Sequence, residues 1–217
     1  LGAMLLVFVF SLGFFITPAL LGGGHSFAGS YLAARFAQRQ QDWVAAQHYM
    51  NAVVNFDENN QLIVHRAFLL SLGAGEWTAA RRLADRLIAE RDGTGEIDLP
   101  LIFSASEALA RSEYKTAIEL VGRLPDTGFG QYTKPLITAW AMAGAGERDA
   151  AIEFLRGHAD DDDPTFNLHA GMIYDVSGDA ENAARHFTAA LDDSLTLHNA
   201  LLLAEFFTRH GDAATAA

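Results

Sequence analysis

The chain has 217 residues, half of them apolar, which is enough to bury the core of one or two ordinary domains. Its formal net charge of −12 argues against a nucleic-acid partner, because binding phosphates requires clustered Lys and Arg side chains. It contains no cysteine, which excludes disulfides, thiolate metal sites and a cysteine nucleophile.

The first element is a hydrophobic segment over residues 1–25. No charged residue occurs in residues 1–24, and the apolar run 4–21 approaches the length of about 20 residues that a membrane span needs. Four interpretations stay open: a membrane anchor, a secretory signal with a cleavage site at 26–28, a remnant of a fusion, or a buried helix that caps the following domain. We expect a hydrophobic helix here, and we predict membrane contact only through residues 4–21.

The remaining sequence, residues 26–217, contains an internal repeat. An acidic residue followed four positions later by alanine occurs six times, and the acids are spaced by 34, 37, 34, 32 and 33 residues. A second marker lies eight residues before each acid and is small in five of six cases. This period predicts pairs of antiparallel helices, with the acid in the first turn of the second helix and the small residues where the two helices cross closely. The acid–alanine pairs are Asp42/Ala46, Glu76/Ala80, Glu113/Ala117, Glu147/Ala151, Asp179/Ala183 and Asp212/Ala216, and the second markers are Ala34, Phe68, Ala105, Ala139, Gly171 and Ala204.

The pattern therefore predicts an all-α solenoid of antiparallel helix pairs, about five and a half repeats long, after the hydrophobic helix. The helix pairs are predicted at 27–39 with 42–55, 61–73 with 76–90, 98–111 with 113–123, 131–144 with 147–157, 165–177 with 179–191, and 195–210 with a truncated partner.

We interpret both ends of the chain as cut from a longer reading frame, because it opens with Leu1 and stops soon after a repeat marker. The last helix is then expected to expose an apolar face and to promote self-association. That face comprises Leu201, Leu202, Leu203, Phe206 and Phe207.

A search for catalytic or metal-binding motifs identifies no candidate residue. The eight histidines form no His-x-Glu or His-Glu-x-x-His arrangement. The acidic run at 160–163 lacks the glycine and distant glutamate of a calcium loop, and the glycine-rich stretch at 91–96 lacks the Gly-Lys-Ser/Thr of a phosphate loop. We therefore predict a protein that is not an enzyme and has no catalytic residue, no metal site and no cofactor.

The period, the helix pairs and the markers resemble the tetratricopeptide repeat (TPR), although the proline usual at the end of each unit is mostly missing. Residues 29–35, 66–70 and 134–141 further resemble an uncharacterised TPR family of proteobacteria, whose members usually begin with a signal sequence. The resemblance implies a periplasmic or membrane-anchored protein of a bacterium. Separately, residues 5–24 resemble a membrane segment of polyamine-type ABC transporter permeases.

In a TPR solenoid the first helices of the pairs line a concave groove, where a protein or peptide partner binds. Only one of the residues placed there, Arg35, is basic, which disfavours a clamp for a terminal carboxylate and favours apolar anchors. The predicted function is a non-catalytic scaffold for protein–protein interaction; the alternatives are a permease-associated transport component and a TPR module of a larger protein. The same residues could instead pack between repeats. The predicted groove residues are Tyr31, Arg35, Gln38, His65, Leu69, Leu72, Trp140, Met172, Asp175 and Glu205.

Overall fold

The computed structural model describes residues 26–89, 97–158, 164–193 and 196–211, and these contain eleven α-helices and no β-strand. The first and last residue of every helix lie within two residues of the predicted positions. The prediction of an all-α fold is confirmed. The hydrophobic segment and the stretches 91–96 and 160–163 lie outside the described residues. The helices are α1 (Phe27–Arg39), α2 (Trp43–Phe56), α3 (Gln61–Gly73), α4 (Trp77–Ala89), α5 (Asp98–Ala110), α6 (Tyr114–Gly122), α7 (Gly130–Gly144), α8 (Arg148–Arg156), α9 (Pro164–Val176), α10 (Ala180–Asp193) and α11 (Leu197–Arg209).

One turn geometry, centred on the repeated acid, joins the two helices of each pair. The backbone N–H of Asp42 donates to the carbonyl of Ala37 at 3.0 Å and closes α1. The carbonyl of Asp42 accepts from the N–H of Ala46 at 2.9 Å and starts α2. The alanine lies four residues after the acid because these two residues form the first backbone hydrogen bond of the second helix. Both bonds recur at Glu76, Glu113, Glu147 and Asp179.

The acid lies one residue earlier than predicted, just before the second helix rather than in its first turn. At this position Asp42 accepts a hydrogen bond from the N–H of Ala45 at 3.0 Å, and Asp179 accepts one from Asn182 at 3.2 Å. Glu113 and Glu147 make no side-chain bond of this kind, since the longer glutamate is a poorer helix cap.

The residue before each acid has a left-handed backbone, which explains the glycines that recur there. Glycine adopts a positive φ without steric cost, whereas this conformation costs other residues about 1–2 kcal/mol. Two repeats place a non-glycine residue at this position, Gln41 and Ser112, both with a φ of 60°. The glycines are Gly75, Gly146, Gly178 and Gly211, with φ of 72°, 88°, 80° and 82°.

The chain divides into two compact units, unit 1 up to Pro100 and unit 2 from Leu101 onward. In unit 1 the ring of Trp43, the first residue of α2, packs on Gly73 of α3, where an added Cβ would lie 3.3 Å from Trp43 Cε3. In unit 2 the ring of Tyr114 covers Gly144 of α7 in the same way. Trp43 and Tyr114, each the residue after the acid, thus join one helix pair to the next, and each packs on a glycine of the following first helix.

The apolar face predicted for α11 is mostly buried, so this expectation is wrong for Leu203, Phe206 and Phe207. These side chains pack with Phe187 of α10, because α11 rests on the second helix of the preceding pair. Of the other two side chains of this face, Leu202 is half-buried and Leu201 has 61% of its surface exposed. Among the described helices, none has both the length and the apolar character that crossing a membrane requires.

Candidate functional site

In unit 1 the two first helices, α1 and α3, meet through Tyr31 and Arg66. The guanidinium of Arg66 donates to the Tyr31 hydroxyl at 2.5 Å, and its central carbon lies 5.9 Å from the centre of the tyrosine ring. Residues spaced by three, four or seven along a helix share one face with these two side chains. We call the six residues of this surface the unit 1 face; they are Tyr31, Arg35 and Gln38 on α1 and Leu62, Arg66 and Leu69 on α3.

The unit 1 face includes two exposed leucine side chains. Leu62 has 83% of its surface exposed and Leu69 has 39%. Arg35 and Gln38 are half-buried beside them. Within the described part of the chain, Arg35 forms no ion pair. Exposed apolar groups next to hydrogen-bond donors are the composition of a protein-binding surface.

The other two predicted groove residues of unit 1 lie beside this face. Leu72 and His65 are half-buried on α3. The His65 ring lies 6.4 Å from that of the buried Phe68, and its Nε2 is buried without a hydrogen-bond partner among the described residues. His65 is therefore directed toward the core. The prediction omitted Leu62 and Arg66, although their spacing of seven and three residues from Leu69 marks the same helical face.

In unit 2 two of the predicted groove residues pack against neighbouring helices, and Trp140 joins the first helices of two successive pairs. The indole N–H of Trp140 on α7 donates to Nδ1 of His169 on α9 at 3.1 Å. Met172, also on α9, is half-buried and packs against the core cluster that contains Phe187. Glu205 on α11 is exposed. Trp140 and Met172 thus contribute to packing between helix pairs, and Glu205 stays available to solvent.

Asp175 is the most strongly bonded of the predicted residues. Its carboxylate accepts from Nη2 of Arg209 at 2.8 Å and lies 3.3 Å from Nε2 of His210, with only 12% of the side chain exposed. Burial raises the pKa of Asp175, but the hydrogen bonds from Arg209 and His210 outweigh it and the pKa is lowered. Asp175 therefore ties α9 to α11 as a carboxylate.

Unit 2 also contains a cavity of about 380 Å³ beside Trp140. It is lined mainly by apolar and small side chains, so it suits an apolar group rather than acid–base chemistry. No group of three or more His, Asp or Glu side chains is arranged to hold a metal ion in the part of the chain that the structure describes. The lining residues are Leu109, Tyr114, Trp140, Ala143, Gly144, Val176 and Ser177.

Comparison with models of protein families and with curated protein sequences gives no match. Solved structures do match. A tetratricopeptide repeat protein from Parabacteroides merdae ATCC 43184 has a TM-score of 0.70 and 14% identity, over 88% of this chain and 74% of that one. The chain has the fold of a TPR protein.

Two further TPR-like structures support this assignment. PilW, described as a widely conserved type IV pilus biogenesis factor, has a TM-score of 0.62 and 14% identity over 88% of both chains. YrrB, described as a TPR protein with an unusual peptide-binding site, has a TM-score of 0.59 and 14% identity over 87% of this chain and 97% of that one. Identities this low establish the TPR fold and nothing finer. The resemblances to a proteobacterial TPR family and to a permease segment stay predictions.

Proposed function

We propose that this chain is a non-catalytic TPR scaffold that binds a segment of another protein through the unit 1 face. The observation that carries the proposal is the exposure of Leu62 and Leu69 at helical spacing, next to the half-buried Arg35. Apolar anchors within a polar rim concentrate the binding energy of protein interfaces. YrrB, with its peptide-binding site, supplies a precedent for such use of this fold.

The predicted groove residues have different roles in this scaffold. Tyr31, Arg35, Gln38 and Leu69 are assigned to partner binding together with Leu62 and Arg66. His65 and Leu72 support this surface from α3. Trp140, Met172 and Asp175 are assigned chiefly to packing between helix pairs, because their side chains are engaged there. Glu205 remains a candidate for contact with a partner.

We further propose a location in a bacterial cell envelope, with residues 1–25 as a signal or anchor and 26–217 as the repeat domain. The apolar run at 4–21 and the similarity to the pilus factor PilW support this location. The Ser26 hydroxyl accepts from the N–H of Gly29 at 3.0 Å and caps α1. Cleavage at 26–28 would remove this cap, so we expect any cut to fall before Ser26. Cell fractionation and N-terminal sequencing of the full-length gene product test both points.

The binding proposal is tested by photocrosslinking in cells of the native host. A photoreactive phenylalanine analogue is placed at Leu62 or at Leu69, and a control is placed at Val44, which is 63% exposed on the second helix α2. We expect a discrete protein adduct from both α3 positions and none from position 44. The Leu69→Ser variant should abolish the adduct at position 62 while its circular dichroism stays unchanged.

The proposed function fails if positions 62 and 69 give no adduct. It also fails if the control position gives the same adduct with the same yield, because the contact would then not be specific to the unit 1 face.

A further inference from the structure

The charges of this acidic protein are distributed unevenly along the chain. Residues 1–89 contain six Lys and Arg against five Asp and Glu, a net charge of +1. Residues 90–217 contain nine against 22, a net charge of −13. A charge asymmetry of this size between two halves indicates a difference in the ligands that each half attracts.

Within unit 1 the first helices carry positive charge without any acidic residue, whereas the second helix α4 carries charges of both signs. The two helices α1 and α3 carry Arg35, Arg39 and Arg66 and not one acidic residue. The acids of residues 26–89 lie in the turns, in the loop before α3, or on the second helix α4. These acids are Asp42, Asp57, Glu58, Glu76 and Asp85.

None of these arginines is neutralised by a carboxylate in the described structure. The acceptor of Arg66 is the uncharged hydroxyl of Tyr31. Arg35 and Arg39 form no ion pair among the described residues. The Asp42 carboxylate is occupied in capping α2, and the Asp57 carboxylate accepts from the Asn60 side chain at 3.2 Å. Arg35 is half-buried and Arg39 is exposed. A guanidinium without a counter-ion is a ready site for a carboxylate, which it binds through charge-assisted hydrogen bonds.

We propose that the unit 1 face binds an acidic amphipathic segment of a separate protein. Apolar side chains of this segment contact Leu62 and Leu69, and its side-chain carboxylates pair with Arg35 of this face and with Arg39, an exposed residue next to the face on α1. The two arginines stand one helical turn apart on α1, so they suit carboxylates spread along a segment better than one terminal carboxylate. This inference rests on the proposed function and adds the chemistry of the partner. The net charge of −13 on the rest of the chain disfavours binding of the same segment there.

The test is fluorescence anisotropy of the full chain with three labelled peptides. All three carry acetylated and amidated ends and leucines spaced by three and four residues; the remaining positions are Glu in the first, Gln in the second and Lys in the third. We expect the Glu peptide to bind about tenfold more tightly than the Gln peptide at low salt, and the Lys peptide to bind least. The difference should shrink as salt screens the charges.

Protein variants locate the effect. Arg35→Gln/Arg39→Gln should remove the preference for Glu over Gln, whereas Arg82→Gln, on the exposed side of α4, should leave it intact. Circular dichroism confirms that both variants fold.

Equal binding of the Glu and Gln peptides would overturn the inference, and if Leu69→Ser abolished both, the proposed function would still stand. If none of the peptides bound and crosslinking also found no partner, the proposed function would fall as well. Salt-dependent self-association in sedimentation, lost in Arg35→Gln/Arg39→Gln, would identify the occupant as a second copy and also overturn the inference.

Discussion

Gly171 of α9 lies directly against the ring of Phe187 of α10, where an added Cβ would stand only 2.7 Å from Phe187 Cδ1. The two residues occupy the second marker and the position eight after the acid, sixteen residues apart. The same two positions are buried in four other helix pairs, and one is small wherever the other is large. Complementary volumes keep the two helices at the distance that close packing requires. These pairs are Ala34/Met50, Phe68/Ala84, Ala105/Val121 and Ala139/Leu155.

We predict that Gly171→Ala lowers the free energy of unfolding by about 1–3 kcal/mol, because the buried Phe187 ring has no room to move aside. This loss should exceed the gain of about 1 kcal/mol from better helix propensity. The double variant Gly171→Ala/Phe187→Leu reproduces the combination found at Ala139 and Leu155 and should recover stability. Urea unfolding followed by circular dichroism measures all variants, with Phe187→Leu alone closing the cycle. Additive effects of the two substitutions would show that the residues do not restrict each other.

Ser112, the residue with left-handed backbone before Glu113, is a site where a substitution should stabilise the fold. Ser112 has a φ of 60°, whereas glycine occupies this position in the repeats at 146 and 178. We predict that Ser112→Gly raises the free energy of unfolding by about 0.5–1 kcal/mol, and that Gly146→Ala lowers it by a similar amount. Ser112→Ala is the control for loss of the hydroxyl and should not stabilise. A lower thermal midpoint for Ser112→Gly would contradict the steric explanation.

The fold could be predicted because its signals are local. The glycine at positive φ, the acid that ends one helix and starts the next, and the alanine four residues later all lie within six residues of one another. The period then repeats the signal along the chain. Bounds of helices as far apart as α1 and α10 were therefore predicted to within two residues.

The roles of the individual groove residues could not be predicted in this way. Trp140 is engaged by His169 and Asp175 by Arg209, partners that lie 29 and 34 residues away. Nothing in the local spacing distinguishes these two from Leu69, which stays exposed. The burial of Phe206 was missed for a related reason, because its packing partner Phe187 belongs to the preceding helix pair.

Asp175 provides a test of how α11 is held in unit 2. We predict that Asp175→Asn lowers stability by about 1 kcal/mol, since the exposed Arg209 limits the value of the ion pair. Because the pKa of Asp175 is lowered in the folded state, this contribution is present above the unfolded pKa and is lost as the pH falls through the folded one. Hydrogen exchange should speed up in α11 and not in α7. Equal exchange in wild type and variant at neutral pH would rule out this role for the carboxylate.

Two histidines in unit 2, the buried His186 and the half-buried His169, should make the fold sensitive to mild acid. His169 uses Nδ1 to accept from Trp140 and must be unprotonated there. His186 donates from Nδ1 to Asn167 at 2.9 Å, while its Nε2 is buried without a partner among the described residues. Burial lowers the pKa of both His169 and His186 below the ordinary value of 6.5, and nearby arginines add to the effect at His186.

The sign of the pH dependence follows from these lowered pKa values. Below about pH 6.5 the two histidines are protonated in the unfolded chain but not yet in the folded chain. The free energy of unfolding therefore decreases as the pH is lowered, until the pKa of the folded state is reached. We predict lower stability at pH 5.5 than at pH 8, with a smaller loss in His169→Gln, whose side-chain oxygen can still accept from Trp140. His48→Gln, at an exposed position on α2, should keep the wild-type loss. Urea midpoints followed by tryptophan fluorescence decide the matter: a loss in His169→Gln as large as in wild type would mean that protonation of His169 does not weaken the fold.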